Sequence, residues 1–275
     1  METEVIITYV TCDDLLQELN FKDDIQIKMK TSEIMTTAII AAFEFAGNVE
    51  KARKRLSCAH FIPNMLSKGQ LNRRLHRINS IYWIKILKKI NEQFGKEEIK
   101  KEYVIDSFPV EGCKLIRCTR SHIYKDKKYK GYCAAKKEFF NGIKVHVLSS
   151  ASRIPVEFKF SPGSEHDLQV FKSLELNLAK NSVIYADKAY NDYHYEDHLI
   201  HKKQIHLLPI RKKNSHRRFS VEREKIIKKK RKVIETMFSN IKKLMPQSVH
   251  AVTKNGFELK ITLFILAYTF NVALF

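Results

Sequence analysis

Three acidic side chains stand where chemistry could be done. Asp106 closes the apolar run Tyr103, Val104, Ile105, and Asp187 closes the run Val183 to Ala186. Glu235 lies inside the most basic stretch of the chain, where residues 202–243 carry 16 Lys/Arg against Glu222, Glu224 and Glu235. An ionised carboxylate on a buried strand is costly unless it is paired or bound to a metal. Two aspartates at strand ends and one glutamate on a helix form an oxygen-only donor set. Such a set suits Mg2+ or Mn2+ and not the metals that prefer thiolate or imidazole. A pair of these ions about 3.5–4 Å apart can serve in-line displacement at phosphorus. The surrounding cations suit a polyanion, so the expected chemistry is the cutting or joining of nucleic acid.

The elements that must hold these groups follow from the texture of the chain. After residue 102 the pattern is strand-like: Tyr103–Val110, Phe139–Ser149 and Ile154–Phe160. Pro162 and Gly163 mark a turn, after which Ser164 and Asp167 can cap a helix through about Leu178. Val183–Ala186 reads as a short strand apolar on both faces, as in the middle of a covered sheet. A helical stretch follows Asp192, then a strand over Ile205–Ile210, then a basic helix from Val221 to about Met245. Strands followed by strand–helix alternation predict an α/β fold, a mixed sheet flanked by helices. On the basic helix Lys228, Arg231, Glu235 and Lys242 share one face, while Ile227, Val233, Ile234, Met237, Ile241 and Leu244 form a separate apolar stripe. The bland alternative for Arg231 and Glu235 is a solvated i,i+4 ion pair worth a few tenths of a kcal/mol.

Before residue 95 the pattern is helical. Ser32 is a candidate cap for a helix stopped by Gly47, Asn48 for a second, and Ser67 for a third running towards Phe94. Arg73, Arg74 and Arg77 on the third helix give either a helix-turn-helix-like DNA-binding module or an ordinary bundle with solvated arginines. The charged run Gly95–Glu102 separates the two textures. The expected domains are therefore 1–98, all-α, and 99–275, α/β.

A formal net charge of +20 in 275 residues favours nucleic acid as partner over an anionic membrane. Residues 114–137 form a second basic block, nine Lys/Arg against Asp126 alone. Phosphate contacts should then dominate affinity and make it fall steeply with salt. Tyr129, Tyr132, Phe139 and Phe140, set among these lysines, could stack on bases or pack within strands. Five cysteines without paired spacing predict buried thiols, not a disulfide framework or a zinc site, and Cys58 with His60 is a weak ligand pair. The apolar segment Ile261–Phe275 is short of the roughly 20 residues a bilayer requires and reads as a buried terminal helix. With no signal pattern at the N-terminus, a soluble, cytoplasmic protein is expected.

The order strand–Asp106, strand–Asp187, helix–Glu235 resembles the DDE transposases of bacterial insertion sequences. The strongest likeness is to their Tyr-x2-Arg-x3-Glu-x6-Lys signature, matched by Arg231, Glu235 and Lys242. Its tyrosine position holds Lys228 here, a departure. Phe140 to His146, Pro162–Gly163 and His166–Asp167 also look like that family's middle strands and following helix. The likeness covers about residues 100–270, and Ser67–Arg77 looks like the N-terminal part of small relatives. It implies a ribonuclease H-like catalytic domain, Asp106, Asp187 and Glu235 around two Mg2+ or Mn2+ ions, and Arg231 and Lys242 on phosphates. It also implies double-stranded DNA as partner, both element ends and target, and a homodimer in the DNA complex. Two other readings stay open: a stand-alone nuclease or junction resolvase of the same fold, and a non-catalytic DNA-binding regulator.

Overall fold

A computed structural model of the chain describes residues 2–58, 60–94, 101–134 and 136–274. The chain divides into two units, Lys96–Ser239 and a helical unit of Met1–Gly95 with Asn240–Phe275.

The first is a mixed α/β unit. Its strands are β1 (Glu102–Cys113), β2 (Lys130–Cys133), β3 (Glu138–Ser150), β4 (Pro155–Pro162), β5 (Val183–Ala186) and β6 (His206–Pro209). They form one sheet in the order β2-β3-β1-β5-β6, with β4 also paired to β3. The β1–β3, β2–β3 and β3–β4 pairs are antiparallel, whereas β1–β5 and β5–β6 are parallel. The expected strands are all present; β2 was not foreseen, because Lys130, Gly131 and Tyr132 carry little apolar signal.

Period-two alternation along β1 assigns its two faces. Ile105 turns towards a core with Leu148, Phe171, Ile184, Ala186, Tyr190, Leu199 and Leu207, which brings in α6 (Asp167–Lys172) and α7 (Tyr193–Lys203). The opposite face meets α8 (Val221–Leu244), where the Phe108 and Phe238 rings lie 4.6 Å apart. Ile227, Ile234, Met237 and Ile241 on α8 are buried, four of the six positions of the expected stripe; Val233 and Leu244 are half-buried. Asp192 caps α7 by accepting from the Tyr195 N–H at 3.0 Å, whereas α6 ends at Lys172, well before Leu178.

β5 pairs only with Glu102–Ile105 of β1. From Asp106 onward that flank of β1 is an open edge among the described residues. Pro109, which has no N–H to give a neighbouring strand, is tolerated there for that reason.

The helical unit contains α1 (Glu2–Glu18), α2 (Thr31–Glu44), α3 (Val49–Leu56), α4 (Lys68–Arg77), α5 (Ser80–Phe94) and α9 (Lys254–Leu274). Asn48 and Ser67 cap α3 and α4 as expected. At α2 the cap position is Lys30, and Asp23 accepts from the Thr31 N–H at 2.9 Å. The expected long third helix breaks at Ile78 and Asn79, where the Asn79 side chain accepts from the Ile81 N–H and opens α5. Gly47, at φ +78°, turns the chain out of α2, and an added Cβ would stand 2.9 Å from the Phe264 ring.

The expected boundary region 95–102 lies mostly outside the described residues. By its contacts Asn240–Phe275 groups with the N-terminal helices. The reason is α9, apolar on every side, which packs on α2 and α5 and buries Phe257, Ile261, Phe264 and Tyr268. Over Lys254–Ala273 this helix is long and apolar enough to cross a bilayer by length and composition, but 67% of it is buried within the fold.

Candidate active site

The parallel register places the two aspartates side by side. Ile105 pairs with Ala186, so Asp106 and Asp187 are the next residues along neighbouring strands. They stand where β5 ends and β1 runs on paired with β3 alone, the crevice in which open sheets collect ligands. Asp106 Oδ1 accepts the N–H of Ser107 at 2.8 Å.

A single side chain joins the pair. Arg231, on α8, donates from Nη2 to Asp106 Oδ2 at 2.8 Å, and its Nη1 lies 3.4 Å from Asp187 Oδ1. Arg231 therefore reaches across to both strand ends and does not form the solvated i,i+4 pair with Glu235. Its Nε is buried without a hydrogen-bond partner. Arg231, Asp106 and Asp187 side chains are 14%, 19% and 34% exposed, so the cluster opens outward from a partly desolvated floor. Burial pushes the Asp106 carboxyl above its ordinary range; Arg231 opposes this and Asp187 adds to it.

The other expected residues are placed as follows. Glu235 is exposed on α8, one turn beyond Arg231. No group of three or more His, Cys, Asp or Glu is close enough to hold a metal among the described residues. The fold thus brings Asp106 and Asp187 together, without Glu235 in a common coordination sphere. Lys228 is exposed and lies 4.0 Å from Glu224. Lys242 is exposed on the part of α8 that belongs to the helical unit. Within that unit Arg73 and Arg77 are exposed on α4, but Arg74 is committed to structure. Its guanidinium donates to the Met29 carbonyl and lies 3.5 Å from both Asp23 Oδ1 and Thr31 Oγ1.

Three residues that the sequence reading missed hold the turn after Asp187. This turn, Lys188–Tyr190, is a short 3-10 helix in which the Tyr190 N–H donates to the Asp187 carbonyl at 3.0 Å. Asn191 donates from Nδ2 to the Lys188 carbonyl at 2.9 Å and to the Ile210 carbonyl at 2.7 Å. Asn191 Oδ1 in turn accepts from Arg211, which is paired bidentately with Glu196 at 2.7 Å through each nitrogen. The Arg211 and Glu196 side chains are only 4% and 6% exposed. A charged pair so buried, over the ring of Phe219 at 4.5 Å, carries no hydrophobic period that a sequence could reveal.

On the other face Asp167, expected as a helix cap, accepts from Ser107 Oγ at 3.1 Å and Lys144 Nζ at 2.8 Å. Beside it His146 is buried, with Nε2 2.9 Å from Ser161 Oγ. Burial pushes His146 down to about 4; Asp167 opposes the shift, and Lys144 and Lys159 add to it. The unfolded chain takes up this proton near its ordinary 6.5, and the folded protein refuses it until about 4. Stability from this group is therefore complete above pH 6.5 and lost as pH falls towards 4, by about 3 kcal/mol. Melting curves of wild type and His146→Gln should converge across that window, the difference removing the carboxylates' own contributions. Parallel pH profiles would contradict the assignment.

The donor chemistry of the aspartate pair fits a divalent ion: two carboxylates, oxygen only, already converge on one positive group. Residues 98–270, more than half of the chain, match the family model described as Transposase DDE domain. No curated protein and no solved structure gives a match.

Proposed function

Because the chain belongs to the transposases with a DDE domain, we propose that it cleaves DNA at the ends of an insertion sequence and joins the freed 3′-hydroxyl to target DNA. The observation that carries this reading is the placement of Asp106 and Asp187 at adjacent parallel strand ends, bridged by Arg231 from α8. The strand order, three antiparallel partners followed by two parallel ones, supports a ribonuclease H-like core.

In this reading Asp106 and Asp187 would hold Mg2+ or Mn2+, a pair of ions, and Glu235, which lies one turn beyond Arg231 on α8, would be the third carboxylate. Bound there, divalent ions supply Lewis-acid stabilisation of the attacking and leaving oxygens. Arg231 has the geometry to exchange its carboxylate partners for a phosphate, since its guanidinium fork matches either anion. Lys228 and Lys242 add phosphate contacts on the same helix, and exposed Arg73 and Arg77 make the helical unit a second DNA contact. Water attacks first and frees the 3′-hydroxyl, and that hydroxyl attacks target DNA at the same carboxylates. No covalent enzyme intermediate is needed. A homodimer on paired ends and a cytoplasmic, nucleoid-associated location follow from the same reading.

Incubating the protein with Mg2+ and DNA carrying the sequences that flank its gene tests the proposal. Cleavage at the element boundary and covalent joining of precut ends to a plasmid are expected. Cleavage without joining would favour the stand-alone nuclease, and binding without cleavage the regulator.

A further inference from the structure

The nine cations of residues 114–137 are all exposed, and Asp126 is the one acid among them. Within this block β2 and β3 form a hairpin in which Tyr132 sits directly opposite Phe139. Strand alternation sends their neighbours inward: Phe140 is buried beneath Gly131, where an added Cβ would come within 2.6 Å of the Phe140 ring. Gly131 also lies against the Gly163 backbone, which an added Cβ would meet at 2.3 Å, so the hairpin is held from below. Tyr132 and Phe139 are left pointing outward, 52% and 56% exposed, with ring centroids 5.1 Å apart. Lys130 Nζ stands 5.1 Å from the Phe139 ring centre, and Lys136 and Lys137 are exposed at the hairpin tip.

Cross-strand packing accounts for the contact between the two rings. It does not account for large aromatic surface left in water on a strongly basic hairpin, where Asp126 and Glu138 are the acids beside the nine cations. Flat apolar faces beside lysines are what a nucleobase and its phosphate require: stacking on the ring, neutralisation alongside. A base inside a duplex has both faces covered, so the occupant must present unstacked bases.

We propose that the Tyr132–Phe139 pair is a stacking platform for unpaired bases of single-stranded DNA, with Lys130, Lys136 and Lys137 on its backbone. The choice of DNA rests on the function proposed above, but the platform needs none of the carboxylates.

The test uses the full chain, oligothymidine and a blunt duplex, with binding alone as readout. Tyr132→Ala with Phe139→Ala should weaken oligothymidine binding about ten- to hundredfold, while duplex binding, carried by the remaining lysines, changes little. Tyr132→Phe should retain wild-type affinity. Phe139→Trp places a tryptophan on the surface, since Trp83 is buried, and its emission should be quenched by oligothymidine. Equal loss on both DNAs, no loss on either, or no quenching overturns the platform. A change of oligomeric state in the double variant would make the pair a contact between copies and overturn it too. Because no cleavage is measured, failure here leaves the carboxylate site untouched, and an inactive carboxylate site leaves this result standing.

Discussion

Asp106→Asn is expected to retain DNA affinity and lose cleavage in Mg2+. The exchange keeps the side chain's shape at the end of the β1–β5 pairing and removes its charge. Arg231 is left with Asp187 as its one carboxylate partner, an arrangement the open crevice can hydrate. The site would lose one of two carboxylates that hold a divalent ion, and metal stabilisation of such a reaction is worth several kcal/mol. Each 1.36 kcal/mol is a factor of ten, so cleavage should fall by about a thousandfold or more. Single-turnover cleavage of end-bearing DNA measures this, with a thermal melt to show that the variant is folded. A variant that cleaves at the wild-type rate would remove Asp106 from the reaction and the proposed function with it.

Breaking the Glu196–Arg211 pair should cost nearly as much, but in a different currency. Both groups are almost fully buried, and removing one leaves the other's charge without a partner. Such single losses cost about 3–5 kcal/mol, whereas replacing both by apolar side chains of similar volume is far milder. Denaturant unfolding should therefore show Glu196→Gln and Arg211→Met strongly destabilised, and the Glu196→Leu/Arg211→Met double variant substantially recovered. The double variant should still cleave DNA poorly, because Asn191 loses the partner that orients it against the Lys188 carbonyl. Single variants costing under about 1 kcal/mol would mean that the pair is not the clamp described.

The sheet was readable because its strands are short apolar runs bounded by turn residues, and α8 because its stripe and its cations separate cleanly at helical spacing. Asp106 and Asp187 stood out for the same reason: each is a charge at the end of a run with no business near one. What the sequence withheld were partnerships. Nothing in Arg231 and Glu235 says that the arginine will abandon its helical neighbour for two strand ends 44 and more residues upstream in the chain. Arg74 looked like its neighbours Arg73 and Arg77, and only the loop carrying Asp23 and Met29 sets it apart. The α1 helix carries a weak signal because its apolar residues are interspersed with threonines, and the packing of α9 on α2 and α5 leaves no local mark because pairing between distant helices has no sequence period. Residues 129–140 divide by side: the alternation that buries Phe140 exposes Phe139, which composition alone cannot decide.

The guanidinium of Arg231 gives the aspartate pair an internal counter-ion. Two carboxylates side by side would otherwise repel each other and strain the strand ends that carry them. With that positive group in place, the scaffold has no need of an exogenous cation to stay folded at neutral pH, unlike small domains that unravel under chelators. EDTA should act on this molecule as a brake and not as a denaturant.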